Sequence, residues 1–339
     1  MGRLLAWQLA RAGHRVSVVD PAEGPAQPGA AGFTAAGMLS PLAEREHAEP
    51  EVVELGWRSL QLWPKIAAAL GRPELVRTEG SLLVAHGCDL GAALRVLARL
   101  QGEPESLNGA ALQMLEPALA PELKAWWLPG EGQLLPRELL VALAEQAPDV
   151  DWQWGRRAMA VRPHRLELDD GRRLDADLVI DTRGLGAKAD MPGLRGVRGE
   201  ILWLHAPGVS LQRPVRLMHP RHRVYLVPRP GDVIVVGASE VESEDRSPVS
   251  LRSAVELMAA AHSVLPVLAE ARIVNMETNL RPALPDHKPR MAYEPGLLRI
   301  NGLFRHGWLL APALAEKALS LDPAVDRSLP IGGLHVSTP

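Results

Sequence analysis

The sequence predicts an α/β protein with a second unit built on an antiparallel sheet, and three observations support this. A helical pattern over residues 1–12 is followed by a short β-branched run that ends in Asp20. Residues 177–181 form a short apolar strand pattern that leads directly into a glycine-rich loop. Between residues 198 and 240, short apolar runs separated by turn residues indicate neighbouring antiparallel strands. The two kinds of pattern alternate along the chain, which indicates discontinuous domains with a ligand between them.

The opening segment has the order of the second half of a βαβ nucleotide-binding unit. Its helix stops at Gly13, and the strand that follows ends in the acid Asp20. Such a unit begins with a strand and a G-x-G-x-x-G loop, of which Gly2 would be the last glycine. We therefore expect a truncated or mis-assigned start, with the first strand and the other glycines upstream of Met1. An ordinary N-terminal helix and edge strand are the alternative.

The remaining helices and strands are predicted from hydrophobic periodicity and from the glycine and proline residues that end each segment. Helical patterns cover residues 51–70, with a break predicted near Pro64, and residues 89–100, 136–147, 250–265 and 309–319. Strand patterns cover residues 80–85, 199–204, 223–229, 232–238 and 297–301, and a hairpin is predicted over 165–175.

Composition excludes several classes of function. The 339 residues include 37 basic and 40 acidic side chains, so the net charge of −3 provides no basic surface for nucleic acid. No apolar window is long enough for a transmembrane helix, and the N-terminus lacks the pattern of a secretory signal. With Cys88 as the one cysteine, an intramolecular disulfide is impossible, and we expect a cytoplasmic protein. The histidines are scattered, so no metal site is expected.

Seven short motifs follow one another in an order typical of one enzyme family. They are Met1-Gly2 with the helix, strand and Asp20; Thr34-Ala35-Ala36-Gly37-Met38-Leu39; Asp181-Thr182-Arg183-Gly184-Leu185-Gly186-Ala187; Val197-Arg198-Gly199-Glu200; Tyr225-Leu226-Val227-Pro228-Arg229 with Val236-Gly237-Ala238-Ser239-Glu240; Leu280-Arg281-Pro282 with Pro285-Asp286; and Gly302-Leu303-Phe304-Arg305-His306-Gly307-Trp308-Leu309-Leu310-Ala311-Pro312. In this order the chain resembles the glycine oxidases of thiamine biosynthesis, within the D-amino acid oxidase family. The resemblance covers essentially the whole chain.

The resemblance implies a Rossmann-like FAD-binding domain and a substrate domain on an antiparallel sheet. It implies oxidation of glycine, sarcosine or a D-amino acid to the imine, with hydride transfer to the flavin and peroxide formation, and a supply of product to thiazole synthesis. It also implies a homo-oligomer. Two alternatives stay open: a quinone-linked D-amino acid dehydrogenase, and a flavin-free binding protein, because the glycine loop is truncated.

The two kinds of segment divide the chain between these two domains. We expect the FAD-binding domain to comprise residues 1–44, 151–197 and 283–339. The substrate-binding domain is expected to comprise residues 45–150 and 198–282.

The resemblance also implies which residues bind FAD. Asp20 stands where a carboxylate binds the adenosine ribose, and Gly2 begins the helix whose N-terminus faces the pyrophosphate. The small residues around Gly37 match the loop that lies against the flavin. The full implied set is Gly2, Asp20, Gly32, Ala36, Gly37, Met38, Ala158, Gly184, Leu303, Phe304, Arg305, His306, Gly307, Trp308 and Leu309.

Three residues match the family's catalytic positions. Arg281 matches the arginine that binds the substrate carboxylate through a bidentate pair, which lysine cannot form. Arg305 matches a second arginine on the substrate side, and Tyr225 matches the tyrosine that closes the pocket. Met38 and Glu240 complete the implied substrate contacts. For each of the three, a purely structural role is the alternative: a surface or structural arginine, or a core tyrosine.

Overall fold

The protein is described by a computed structural model over residues 1–45, 49–100, 104–220 and 224–321. Arg223 of the predicted strand, and residues 322–339 of the predicted FAD-binding domain, lie outside these ranges. The α-helices of the described residues are α1 Gly2–Arg11, α2 Ala31–Thr34, α3 Pro41–Glu44, α4 Pro50–Ala69, α5 Leu90–Leu97, α6 Gly109–Leu115, α7 Pro136–Glu145, α8 Leu251–Val264 and α9 Gly307–Leu319. None of them is long and apolar enough to cross a membrane.

The strands of the same ranges are β1 Ser17–Asp20, β2 Met38–Leu39, β3 Val76–Arg77, β4 Ser81–Ala85, β5 Glu105–Leu107, β6 Lys124–Leu128, β7 Gly132–Leu134, β8 Asp151–Trp154, β9 Ala158–Arg162, β10 Arg165–Leu168, β11 Arg173–Asp175, β12 Val179–Asp181, β13 Arg195–His205, β14 Val215–Leu217, β15 Val224–Arg229, β16 Val233–Gly237, β17 Arg272–Ala283, β18 Arg290–Glu294 and β19 Leu297–Asn301.

Small sheets carry the α/β part of the fold. Strand β1 pairs in parallel with β8, and β12 pairs in parallel with β19, whose other neighbour is the antiparallel strand β18. Both β1 and β12 end at the same large cleft. Asp20 at the end of β1 and the loop after Asp181 at the end of β12 both line this cleft, so they face one site. The predicted strand-to-loop order at both positions is therefore confirmed.

An eight-stranded sheet forms the second part of the fold, in the order β17-β13-β16-β15-β14-β4-β6-β5. All neighbours are antiparallel except β14 and β4, so the sheet is mixed but mostly antiparallel. Successive side chains of β15 alternate between two apolar clusters on opposite faces of the sheet, with Val224 and Leu226 in one and Tyr225 and Val227 in the other. The predicted antiparallel unit is confirmed, with strands from residues 81–85 and 105–128 added at one side.

Two large apolar cores hold these layers. One joins α1, α4, α7 and α9 through side chains such as Leu4, Trp63, Leu139 and Leu310. The other lies between the eight-stranded sheet and α8, with Leu257 packed among the sheet's apolar residues. The division of the chain into two domains stays a prediction, and α4 and α7 contribute to the same core as α1 and α9.

The break predicted near Pro64 is absent, since α4 continues through this residue. A proline inside a helix removes one backbone hydrogen bond. Packing against α9 compensates: Trp63 is fully buried and its Nε1 donates to the Trp308 carbonyl at 2.8 Å. Ser59 Oγ accepts from the Ala313 amide at 3.2 Å. Tertiary contacts therefore outweigh the local preference of the sequence.

One glycine fixes the contact between the loop before β2 and strand β7. Gly37 has φ of +68°, and an added Cβ would clash with the Leu134 carbonyl oxygen.

We predict that Gly37→Ala lowers the free energy of unfolding more than Gly71→Ala, whose φ is +70° but whose Cβ would meet open space. The left-handed conformation alone costs about 1–2 kcal/mol, and the clash adds at least about 1 kcal/mol. Urea unfolding followed by circular dichroism measures both, and equal losses would contradict the prediction.

Candidate active site

A single continuous cleft of about 3060 Å³ runs between the small parallel sheets and the eight-stranded sheet. Every residue that the sequence analysis assigned to cofactor or substrate lines this cleft. The tertiary structure thus brings together residues as far apart in the chain as Gly2 and Leu309, although the role of each residue stays a prediction.

The first end of the cleft is formed by the start of α1 and the end of β1. Asp20 lies with one carboxylate oxygen 3.7 Å from Arg3 Nη2, and its other oxygen accepts from the Ala22 amide at 2.9 Å. A Cβ on Gly2 would lie 2.8 Å from Thr182 Oγ1, so α1 begins directly on the loop after β12. A helix N-terminus and an acid at a strand end are the arrangement that binds the pyrophosphate and ribose of a dinucleotide.

The loop after β12 forms the adjoining wall. Gly184 has φ of +55°, and its carbonyl accepts from Asn301 Nδ2 at 2.9 Å. Arg183 lies against the buried Asp181, with Nη2 to Oδ2 at 2.8 Å, and Nη1 donates to the Ala158 carbonyl at 3.4 Å. The ion pair fixes the loop, so that Gly184 and Ala158 both face the cleft.

The loop that precedes β2 forms the middle of the cleft. The Gly32 carbonyl accepts from Trp308 Nε1 at 3.1 Å, and the Ala36 carbonyl accepts from the Arg229 guanidinium. Arg229 also donates to Gln133 Oε1 at 3.0 Å. Burial lowers the pKa of Arg229 to about 10, so it remains charged at neutral pH. The carbonyls of this loop are therefore oriented by side chains from distant strands and helices.

His306 carries an unsatisfied polar atom on the opposite wall. Its side chain is only 5% exposed, and its Nε2 lies 2.9 Å from Glu44 Oε2. Among the described residues no hydrogen-bond partner lies near His306 Nδ1. A buried polar atom without a partner is unusual and indicates a ligand on the cleft side. Together with Asp20 and the helix start at Gly2, this atom shows that the residues present fit a flavin dinucleotide.

The substrate end is built around Arg281 on β17. Its guanidinium lies over Gly199 of the neighbouring strand, where a Cβ would collide with it, and its Nη1 donates to the Ser239 carbonyl at 3.0 Å. Within the described ranges no carboxylate lies within 4 Å of it. Burial, with Arg305 nearby, lowers the pKa of Arg281, although Glu240 and the ionised form of Tyr225 oppose this.

Tyr225 closes the same end from β15. Its ring lies over Gly237 of the paired strand, where a Cβ would overlap the phenol. Burial raises the pKa of Tyr225, although Arg281, Arg216 and Arg229 oppose that effect. The phenol is therefore a neutral hydrogen-bond donor at physiological pH. Met38 packs in the apolar cluster beside it.

Arg305, unlike Arg281, is already paired. Its Nη2 lies 2.8 Å from Glu44 Oε2, and its Nη1 lies 3.5 Å from the half-exposed Glu240. Glu44 Oε1 also contacts Arg216 Nη2 at 2.9 Å. Burial alone would raise the pKa of Glu44, but Arg216, Arg305 and His306 together hold it well below its ordinary value. Glu44 is thus an ionised buried acid.

Sequence reasoning assigned no role to Glu44, Arg216, Ser239 or Glu200, although the last two lie within the quoted motifs. Glu200 accepts from Ser239 Oγ at 2.7 Å, and the carbonyl of this serine is the one that contacts Arg281. Burial would raise the pKa of Glu200, but hydrogen bonds from serines and an arginine lower it to about 2. The one available signal was Glu200, an acid directly before the apolar residues 201–204. An acid in such a position is unusual, but the sequence does not identify its partner.

Comparisons with known proteins agree with this geometry. The family model described as FAD dependent oxidoreductase matches residues 1–321. The chain belongs to this family. The predicted fold class, the FAD cofactor and the oxidoreductase class are therefore confirmed, and a flavin-free binding protein is not favoured.

Individual proteins similar to this FAD-dependent oxidoreductase are described as thiamine biosynthesis oxidoreductases and glycine oxidases. It is 42% identical over 319 residues to a putative thiamine biosynthesis oxidoreductase ThiO of Rhizobium etli, covering 93% of this chain and 91% of the relative. A glycine oxidase of Geobacillus kaustophilus is 28% identical, with 92% and 87% covered. The crystal structure of glycine oxidase from Geobacillus kaustophilus superimposes with a TM-score of 0.83 at 25% identity, covering 97% of this chain and 92% of that structure.

The neutral tyrosine can be tested by titration, because Tyr225 and Tyr293 are the two tyrosines of the chain. We predict that the phenol of Tyr225 ionises above its ordinary pKa of 10, since burial disfavours the phenolate. The absorbance of the phenolate, recorded against pH for the wild type and Tyr225→Phe, isolates this step by subtraction. A step at or below the ordinary value would show that the arginines outweigh burial.

Proposed function

We propose that this FAD-dependent oxidoreductase oxidises a small amine that carries one carboxylate, such as glycine, sarcosine or a D-amino acid, to its imine with peroxide formation. The observation that carries this proposal is Arg281, a cation in the cleft with no carboxylate partner among the described residues. A planar guanidinium held in this way matches a carboxylate through two parallel hydrogen bonds. The names of the relatives, glycine oxidase and thiamine biosynthesis oxidoreductase, support the same substrate class over a quinone-linked dehydrogenase.

The residues of the chain contribute binding and orientation. Arg281 would hold the substrate carboxylate, and the neutral phenol of Tyr225 would donate a further hydrogen bond to it. Met38 and Glu240 would bound the space for the substrate side chain, and Arg305 would cover the pocket from the loop before α9. Fixing the carboxylate in this way fixes the position of the neighbouring carbon, which is the main requirement of the reaction.

FAD, when bound, supplies the two-electron acceptor, and oxygen then regenerates it with formation of hydrogen peroxide. We propose that Asp20 and Gly2 hold the adenosine and pyrophosphate end. The remaining cofactor contacts would come from Gly32, Ala36, Gly37, Met38, Ala158, Gly184, Leu303, Phe304, Arg305, His306, Gly307, Trp308 and Leu309. These residues line one continuous surface of the cleft.

Further parts of the proposal concern context. The imine product would supply thiazole formation in thiamine biosynthesis, as the name of the Rhizobium etli relative suggests for that protein. We also propose the two discontinuous domains described above, a homo-oligomer and a cytoplasmic location.

Anaerobic reduction of the flavin tests the reaction directly. The holoenzyme is mixed without oxygen with glycine, sarcosine and D-alanine in turn, and flavin absorbance is followed. Bleaching by one of these amines, followed by peroxide release when oxygen is admitted, is the expected result. An oxidised flavin that none of them reduces would contradict the proposed substrate class.

We predict that Arg281→Lys lowers kcat/KM by at least about a hundredfold while FAD stays bound. Lysine keeps the charge but cannot form the bidentate pair, so both binding and orientation of the carboxylate suffer. Steady-state kinetics and the flavin spectrum measure the two effects separately. Arg290→Lys, on an exposed position of β18, is the matched control and is expected to leave both unchanged. Normal kinetics in Arg281→Lys would remove the proposed role.

A further inference from the structure

One buried carboxylate pairs with two arginines at the substrate end of the cleft. Glu44 is only 7% exposed, and its two oxygens are divided between partners. Oε1 lies 2.9 Å from Arg216 Nη2, whereas Oε2 lies 2.8 Å from Arg305 Nη2 and 2.9 Å from His306 Nε2. Both oxygens of the acid are therefore occupied by cationic or polar groups of the protein itself.

The side chain of Glu44 cannot easily leave this position. It ends the short helix α3, which begins with Pro41. The first amides of this helix, those of Leu42 and Ala43, donate to Glu131 Oε1 at 2.8 and 3.1 Å. Glu131 is fully buried, so the backbone that carries Glu44 is anchored from behind. A ligand carboxylate would therefore have to compete for Arg305 and Arg216 with an acid that belongs to the protein and whose backbone is anchored.

Among the described residues at this end of the cleft, the charge pattern leaves one cation for a ligand. Arg216, Arg281 and Arg305 carry three positive charges, and Glu44 with Glu240 carries two negative charges. Arg281 is the one of these arginines for which no ion pair is formed within the described ranges. Arg281 and Arg305 line the same cleft, and they contact adjacent residues: Arg281 donates to the Ser239 carbonyl, and Arg305 lies 3.5 Å from Glu240. The two arginines therefore belong to the same pocket but differ in availability.

We infer that Glu44 determines substrate specificity by restricting the site to amines with a single carboxylate. The acid occupies Arg305 and Arg216, so a second substrate carboxylate meets guanidiniums that are already paired and a buried negative charge beside them. An amino dicarboxylate is rejected by that charge, and a monocarboxylate on Arg281 is not. This inference rests on the proposed function, since it specifies the substrate class of the same site. Discrimination here uses a repulsive element as well as an attractive one.

Binding of simple carboxylates to the oxidised holoenzyme tests the inference without turnover. Acetate and succinate are titrated into the wild type, Glu44→Gln, Glu44→Asp and Glu54→Gln, and the flavin absorbance change provides each Kd. In Glu44→Gln, the preference for succinate relative to acetate is expected to increase by at least about tenfold, because one charge-assisted contact becomes available. Glu44→Asp keeps the charge but shortens the side chain by one methylene, so it is expected to shift the preference less than Glu44→Gln does. Glu54→Gln removes an exposed acid on α4 and is expected to stay within about twofold of the wild type.

Turnover provides a second comparison. The ratio of kcat/KM for iminodiacetate to that for sarcosine is expected to rise in Glu44→Gln in parallel with the binding ratio. An unchanged binding ratio in a Glu44→Gln protein that retains FAD would overturn the inference. Failure of every amine to reduce the wild-type flavin would instead count against the proposed function, while the carboxylate titrations still report on Glu44.

A second variant covers the case in which Glu44→Gln does not fold. Glu240→Gln removes the other acid near Arg305, at 3.5 Å and half exposed, without disturbing the buried carboxylate. It is expected to shift the succinate-to-acetate preference in the same direction by a smaller factor, about threefold, because this pair is more screened by solvent. If this variant shows no shift when Glu44→Gln cannot be obtained, charge balance at Arg305 does not control specificity and the inference is overturned.

Discussion

A half-buried guanidinium that pairs with no acid among the described residues is the constraint on which the substrate end of this oxidoreductase depends. Removing a charge from water is unfavourable unless hydrogen bonds or an opposite charge compensate it. Arg281 receives partial compensation from the Ser239 carbonyl, whereas Arg305 is paired with Glu44. The difference creates one available cation beside one satisfied cation. A ligand carboxylate can therefore pair with Arg281, whereas Arg305 already has a carboxylate partner.

The supporting contacts join segments that are far apart in the chain. Arg229 on β15 holds the Ala36 carbonyl, and Trp308 on α9 holds the Gly32 carbonyl. Glu200 holds Ser239, and Glu131 holds the start of the helix that carries Glu44. The walls of the cleft are therefore connected by polar side chains that bind backbone groups or other side chains. Such networks rigidify a site, because each broken contact would leave a buried polar group unsatisfied.

Much of the local structure could be predicted because its signals are short-range. The helix before Gly13 and the strands that end in Asp20 and Asp181 follow from periodicity and turn residues. The helix through Pro64 could not be predicted, since its continuity depends on burial against α9. Strand β17 could not be predicted either. Residues 272–276 are all exposed, so the first half of the strand lacks the alternating apolar pattern of a half-buried strand.

By itself, the sequence determined the α/β class, the positions of the glycine loops, and the residues Arg281, Tyr225 and Arg305 as candidates, because these depend on local pattern and motif order. Only the tertiary structure decided which of the arginines is available. Glu44 lies 261 residues before Arg305 along the chain but 2.8 Å from it in space. Ion pairing depends on distance and burial, and neither is encoded in the spacing of charged residues along a chain.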